Sequence, residues 1–243
     1  MARNFTMDDV PVLYEDNQIL VVVKPQNMPT QADSSGDKDL LTLLKEYIKV
    51  KYDKPGEAFL GLVHRLDRPT GGVMVFARNS KSAARLCESI ITDETEKKYL
   101  AVLNGCPKEK RGQLITWLKK NPLTNSVYVA TSATEGAKRA ELEYKIIEDL
   151  GVISLAKIRL ETGRSHQIRV QFSSINNPVF GDVRYHGDIL AKGHNLALWA
   201  YELAFNHPTT KEKMVFQCYP PEIEPWTRFD IEKHLNYFNN DDD

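Results

Sequence analysis

Between Tyr99 and Leu160 the chain offers one strand after another and no helical period, and this stretch limits the fold more than any other. Tyr99–Leu103, Gln113–Trp117 and Val127–Ala130 are short runs rich in branched and aromatic residues, which suit a pleated, half-buried surface. Leu142, Tyr144 and Ile146 alternate with polar residues, and Val152–Leu160 sets Ala156, Ile158 and Leu160 against Lys157, Arg159 and Glu161. Such alternation buries one face and wets the other. The regular strand–helix alternation of a doubly wound fold is absent, so the middle of the chain points to α+β.

On either side, helices interrupt strands singly. Ile19–Val23 is a buried-strand candidate closed by Lys24-Pro25, and Gln26–Asp37 reads as a loop. Leu40, Leu44, Tyr47 and Ile48 keep helical spacing, with Asp37 or Asp39 as N-cap. Val73–Ala77 reads as a strand. After it, Asn79 or Ser80 caps a helix with Ala83, Leu86, Cys87, Ile90 and Ile91 on one face. Ser165–Asn176 returns to helical spacing, with Ile168, Phe172 and Ile175 together and Arg169 off that face. Leu196–Phe205 and Lys213–Tyr219 read as strands, Asp230–Phe238 as a short helix, and 239–243 as an acidic tail, disordered at Asp241–Asp243. No repeat or linker divides the chain. The expectation is one domain over 1–243, with its core at about 12–220, on a large mixed, mainly antiparallel sheet with flanking helices.

Cys87, Cys106 and Cys218 are odd in number and lack CxxC spacing, which fits a reducing cytoplasm better than a disulfide or zinc framework. No apolar run approaches the roughly 18 residues of a membrane span, and no leader or membrane association is expected. The formal net charge is −1. Its distribution is uneven: His64–Arg85 holds Arg65, Arg68, Arg78, Lys81 and Arg85 against Asp67 alone, and Lys157–Arg184 is also basic. A near-neutral chain can thus still present a basic face to a polyanion.

The GxxxxGK[ST], GxGxxG and GxSxG patterns are missing, which removes support for phosphate-loop nucleotidases, dinucleotide dehydrogenases and α/β-hydrolases. "VHRLDRPTGGV" places Asp67 between Arg65 and Arg68. Neighbouring cations favour an ionised carboxylate, which serves as a nucleophile or a base; a surface salt bridge before a strand is the plainer alternative. "ETGRSHQIRV" puts Gly163 at a strand-to-helix junction and Arg164 and His166 in the first helical turn. A cation there opposes the helix dipole, so fold stability does not ask for it; an anion does. A metal-dependent phosphodiesterase using His64, Asp67 and His166 is a weaker reading, because the nearby arginines repel a cation.

"HRLDRPTGGVMVFARN" resembles the active-site signature of the RluA family of RNA pseudouridine synthases. "LYEDNQILVVVKPQNMPTQ", "KKYLAVLNG", "ETGRSHQIRVQF", "PVFGDVRYHG" and "LALWAYELAFNHP" resemble its other motifs, in the family's order, from Leu13 to Pro208. The resemblance implies a pseudouridine-synthase-like fold and an enzyme that detaches uracil from ribose and rejoins it through C5, with no metal and no cofactor. It implies Asp67 as catalytic aspartate, Tyr99 as the aromatic that stacks on the base, and Arg164 as the aspartate's partner. His64, Arg65, Arg68 and Thr70 around the first motif are expected to contact RNA, as are His166, Gln167 and Arg169 in the second. The partner would be a tRNA or rRNA stem-loop, and a monomer is expected. Many relatives carry a small RNA-binding module ahead of the catalytic domain, for which no room is expected here. The chain departs from the pattern at Gly71, Gln171, Trp199 and His186. The competing reading is an RNA-binding or RNA-folding protein on the same scaffold.

Overall fold

Strand β2 (Ile19–Lys24) is buried along its whole length, as its apolar run requires, because an antiparallel neighbour lies on each side. These are β1 (Val12–Glu15) and β4 (Gly71–Ala77). The computed structural model describes residues 5–92, 94–185 and 193–238; the acidic tail and His186 lie outside them. The chain divides into two compact units, Met1–Lys97 with Ala200–Cys218 and Lys98–Trp199 with Tyr219–Asp243.

In the first unit the strand order is β1, β2, β4, β10 (Leu198–Asn206). Strand β11 (Lys213–Gln217) pairs with β10, and β3 (Gly61–Leu62) pairs with the end of β4. Ile19, Val21, Val73, Val75, Leu203 and Phe205 form one core layer with Leu86 of helix α2 (Ser80–Ile91). Alternate residues Leu20, Val22, Met74 and Phe76 point to the opposite face and are fully buried too. Both helices of this unit start where the sequence signals it. Asp39 accepts from Thr42 N at the head of α1 (Leu40–Lys51), and Asn79 from Ser82 N at the head of α2. Each cap stabilises its helix by about 1 kcal/mol. Ile91, expected on the buried face, is 79% exposed. It stands five residues after Leu86, turned about 140° away from it at 3.6 residues per turn.

Gly72 has φ +124°, and a Cβ there would lie 2.1 Å from the Ala200 carbonyl oxygen. Only glycine fits, which accounts for the second glycine of the motif.

In the second unit the order is β5 (Glu96–Asn104), β9 (Ile153–Leu160), β8 (Lys138–Asp149), β6 (Arg111–Asn121), β7 (Ser126–Ala130), every neighbouring pair antiparallel. The register sets Tyr99, Ile158, Tyr144 and Gly112 side by side on one face. Helix α3 (Gln167–Ser174) packs on that inner face, where Phe172 meets Tyr144 edge-on at 5.4 Å and Val170 joins Leu118, Val127 and Ala140. A last helix, α4 (Ile231–Phe238), ties back to β8 through His234 and Glu148 at 2.7 Å. The expected α+β architecture with mainly antiparallel strands is what forms. Strands β1 and β3 were not expected from the sequence, the first being four residues long and ending on Glu15 and the second only two residues long.

Candidate active site

Asp67 lies in the first unit on the irregular stretch between β3 and β4, and is half-buried. An irregular backbone near a core must find partners for its carbonyls. Here five consecutive ones have them. Thr30 Oγ1 donates to Leu66 O (2.8 Å), and Thr70 N to Asp67 O (3.0 Å). Lys24 Nζ donates to Arg68 O (3.1 Å) and Thr70 O (2.8 Å), and Gln26 Nε2 to Pro69 O (3.3 Å). Three side chains within one stretch of seven residues, Lys24–Thr30, thus fix the loop that carries the aspartate.

Lys24 is fully buried at the end of β2, and its third bond goes to Pro25 O at 3.0 Å. Three carbonyls match the three N–H donors of an ammonium. Burial pushes its pKa down to about 7; the Asp67 carboxylate opposes that shift and Arg68 adds to it. Sequence reading passed over Lys24, Gln26 and Thr30. The available signal was a lysine closing a wholly apolar strand.

His64 was expected to meet RNA. Instead its Nε2 accepts from Val75 N of β4 at 3.0 Å, just beyond the last residue that β3 pairs. Burial pushes its pKa down to about 3, with the Lys97 cation adding to the effect. The imidazole is therefore neutral, with its proton on Nδ1. A histidine whose folded pKa lies below the ordinary 6.5 withdraws stability as pH falls from 6.5 towards 3, because only the unfolded chain takes up the proton. Urea midpoints measured at pH 7, 5 and 4 should fall more steeply for the wild type than for His64→Gln. Equal slopes would mean that His64 is not held neutral in the fold.

The other motif residues of this unit divide sharply. Arg68 is engaged within its own unit. It pairs with Asp37 and Asp33, donates to Ser35 Oγ (2.8 Å) and Asn27 O (3.1 Å), and so staples the 26–37 loop. Thr70 is buried, with its peptide groups inside the carbonyl network. Arg65 alone is exposed, with no partner among the described residues.

In the second unit Tyr99 is buried on the inner face of β5. Arg164 is exposed, in the turn before α3. Its Nε donates to Arg139 O at 2.9 Å, and its terminal nitrogens have no partner among the described residues. They remain available to an anion. The helix begins at Gln167, so Arg164 and His166 precede its first turn rather than forming it.

His166, Gln167 and Arg169 were expected at RNA, and each has a partner within the protein. Gln167 is buried; its Oε1 accepts from Thr162 Oγ1 (2.8 Å) and Arg164 N (3.0 Å), and its Nε2 donates to Glu141 O (2.9 Å). It holds the Arg164 turn from behind. Arg169 is buried and forks onto Asp182 at 2.7 and 2.8 Å, with its guanidinium 5.1 Å from the Tyr185 ring centre. His166 takes φ +53° and meets the Tyr185 hydroxyl through Nδ1 at 2.5 Å. Short sequence spacing could not distinguish a cation facing solvent from one reaching a carboxylate thirteen residues on. Among the described residues no group of three or more His, Cys, Asp or Glu side chains is placed to hold a metal ion, and no helix is long and apolar enough to cross a membrane.

The family model described as RNA pseudouridylate synthase matches residues 18–174. An uncharacterised RNA pseudouridine synthase of Aquifex aeolicus is 35% identical over 226 residues, covering 88% of this chain and 70% of the relative. A protein of Escherichia coli named ribosomal large subunit pseudouridine synthase D is 31% identical over 250 residues, covering 95% of this chain and 74% of its own. The solved structure of human RNA pseudouridylate synthase domain containing 4 superposes with a TM-score of 0.73 at 21% identity, covering 93% of this chain and 92% of that one. At that identity the likeness establishes a shared fold.

Proposed function

The chain belongs to the RNA pseudouridylate synthase family, whose members are isomerases, and from that premise we propose that it converts uridine in structured RNA to pseudouridine with Asp67 as its catalytic aspartate. Tyr99 is the aromatic assigned to the displaced base, and Arg164, exposed in the turn before α3, is the cation assigned to an anionic group. Arg65, exposed beside Asp67 in sequence, is the contact to RNA near the target. The observation that carries the reading is the unbroken set of held carbonyls from Leu66 to Thr70. A surface salt bridge needs no such support, whereas a group that must meet one ribose carbon does.

In the reaction the bond between N1 and C1′ breaks, the uracil turns, a bond from C5 to C1′ forms, the C5 proton leaves, and N1 takes up a proton, so that the product is an isomer of the substrate. The uridine must first leave its stack, at a cost of a few kcal/mol. Large-subunit ribosomal RNA is the substrate to try first, because relatives at 31–33% identity carry that assignment in their names. A cytoplasmic location, consistent with an odd number of cysteines that lack CxxC spacing, and a monomeric working form complete the proposal.

Tritium release from RNA labelled at uridine C5 tests it. The wild type should release tritium from an unmodified large-subunit ribosomal RNA transcript or from unmodified tRNA. Tight binding of both with no release would favour the RNA-binding reading instead.

A further inference from the structure

The antiparallel sheet of the second unit has a second face that the proposed chemistry does not use. Its register aligns Trp117 with Ala130 and Arg139, Lys119 with Tyr128, and Ile115 with Glu141. It continues through Gln113, Glu143 and Arg159, and through Arg111, Lys145 and Lys157. All of these point away from α3, and every one is exposed or half-exposed. A polar outer face is ordinary for such a sheet. This one differs in two ways. Six cations share it with three carboxylates, Glu161 joining Glu141 and Glu143 through Arg159 at 2.6 Å, in a chain whose net charge is −1. Two aromatics also stand open on it, since Tyr128 is 45% exposed and Trp117 is half-exposed, whereas Trp199 and Trp226 are buried. Ile115 beside them is 50% exposed.

The geometry points to this outer face as a second RNA-contact surface, on which a strand flanking the target uridine lays bases against Trp117 and Tyr128 and phosphates along Arg111 and Lys119. It rests on the RNA-modifying function proposed above. Trp117 and Tyr128 sit on adjacent strands at diagonal positions, roughly 7–8 Å apart, close enough to serve neighbouring bases. Arg111 and Lys119 lie eight residues apart on β6, so the stripe runs about 27 Å, the span of several nucleotides. Charge and open aromatics together suit RNA better than a protein partner, because open aromatic rings between cations are how unpaired bases are held.

Tryptophan fluorescence tests this, because Trp117 is the only one of the three that is not buried. The Asp67→Asn protein is titrated with the unmodified large-subunit ribosomal RNA transcript, and separately with heparin. RNA should quench the emission and heparin should not, and Trp117→Phe should remove the quench. Lys119→Glu combined with Arg111→Glu should weaken RNA binding about tenfold and lower the salt slope by about two. RNA binding with no response at Trp117 and unchanged affinity in the double variant would overturn the surface. So would concentration-dependent dimerisation abolished by Lys119→Glu, which would assign the face to a second copy. Tritium release by the wild type is read apart: release without a Trp117 response sinks this surface alone, and a Trp117 response without release sinks only the isomerase assignment.

Discussion

Asp67→Asn is expected to lower tritium release about a thousandfold or more while leaving RNA affinity within about threefold. The substitution keeps the side chain's size and removes its charge, so it can act neither as nucleophile nor as base. The loop should survive, because its five carbonyls are held by Lys24, Gln26, Thr30 and the Thr70 peptide rather than by the Asp67 carboxylate. Urea midpoints of the two proteins should therefore lie close together. This separates a catalytic role from a structural one: a large loss of stability together with lost turnover would make Asp67 a scaffold residue. Turnover within tenfold of the wild type would remove it from the chemistry. The RNA-binding alternative predicts no turnover in either protein, so the wild-type rate is the necessary reference.

What the sequence disclosed was set by range. Helix starts at Asp39 and Asn79 are local events, decided within four residues, and they formed where expected. The alternation of Leu142, Tyr144 and Ile146 is local too, and those three side chains are buried. The residues whose engagement the sequence hides are those whose partners lie far along the chain. Arg169 reads as a cation for RNA because Asp182 is invisible to helical spacing, and in the fold the pair is buried at 2.7 Å. Arg68 reaches back thirty-one residues to Asp37, and His64 forward eleven to Val75. A basic motif counts its charges correctly and says nothing about which are already engaged. Of the five cationic or histidine side chains expected at the site besides Arg169, namely His64, Arg65, Arg68, Arg164 and His166, folding leaves Arg65 and Arg164 exposed, and the same sorting reveals the open side of β6 to β9, which no short motif announces.

Lys24→Met is expected to be the most destabilising single change in the first unit, by about 3–5 kcal/mol, with turnover lost alongside. Methionine matches the lysine stem in length and apolar character, so packing of β2 changes little. The carbonyls of Pro25, Arg68 and Thr70 would lose their donor. Two of these flank Pro69 in the Asp67 loop, so the damage falls on the segment that presents the aspartate. The pH dependence supplies an independent check. Burial lowers the folded pKa of Lys24 to about 7, below the ordinary 10.5, so between those values the unfolded chain holds a proton that the folded chain has released. Wild-type stability gains a contribution that rises with pH across that window, and the Lys24→Met protein should lack it. Urea unfolding of both proteins at pH 7 and pH 9 reads the two effects together. Midpoints within about 1 kcal/mol of each other and parallel pH slopes would show that water can replace the ammonium, and that the aspartate loop is held by Thr30 and Gln26 alone.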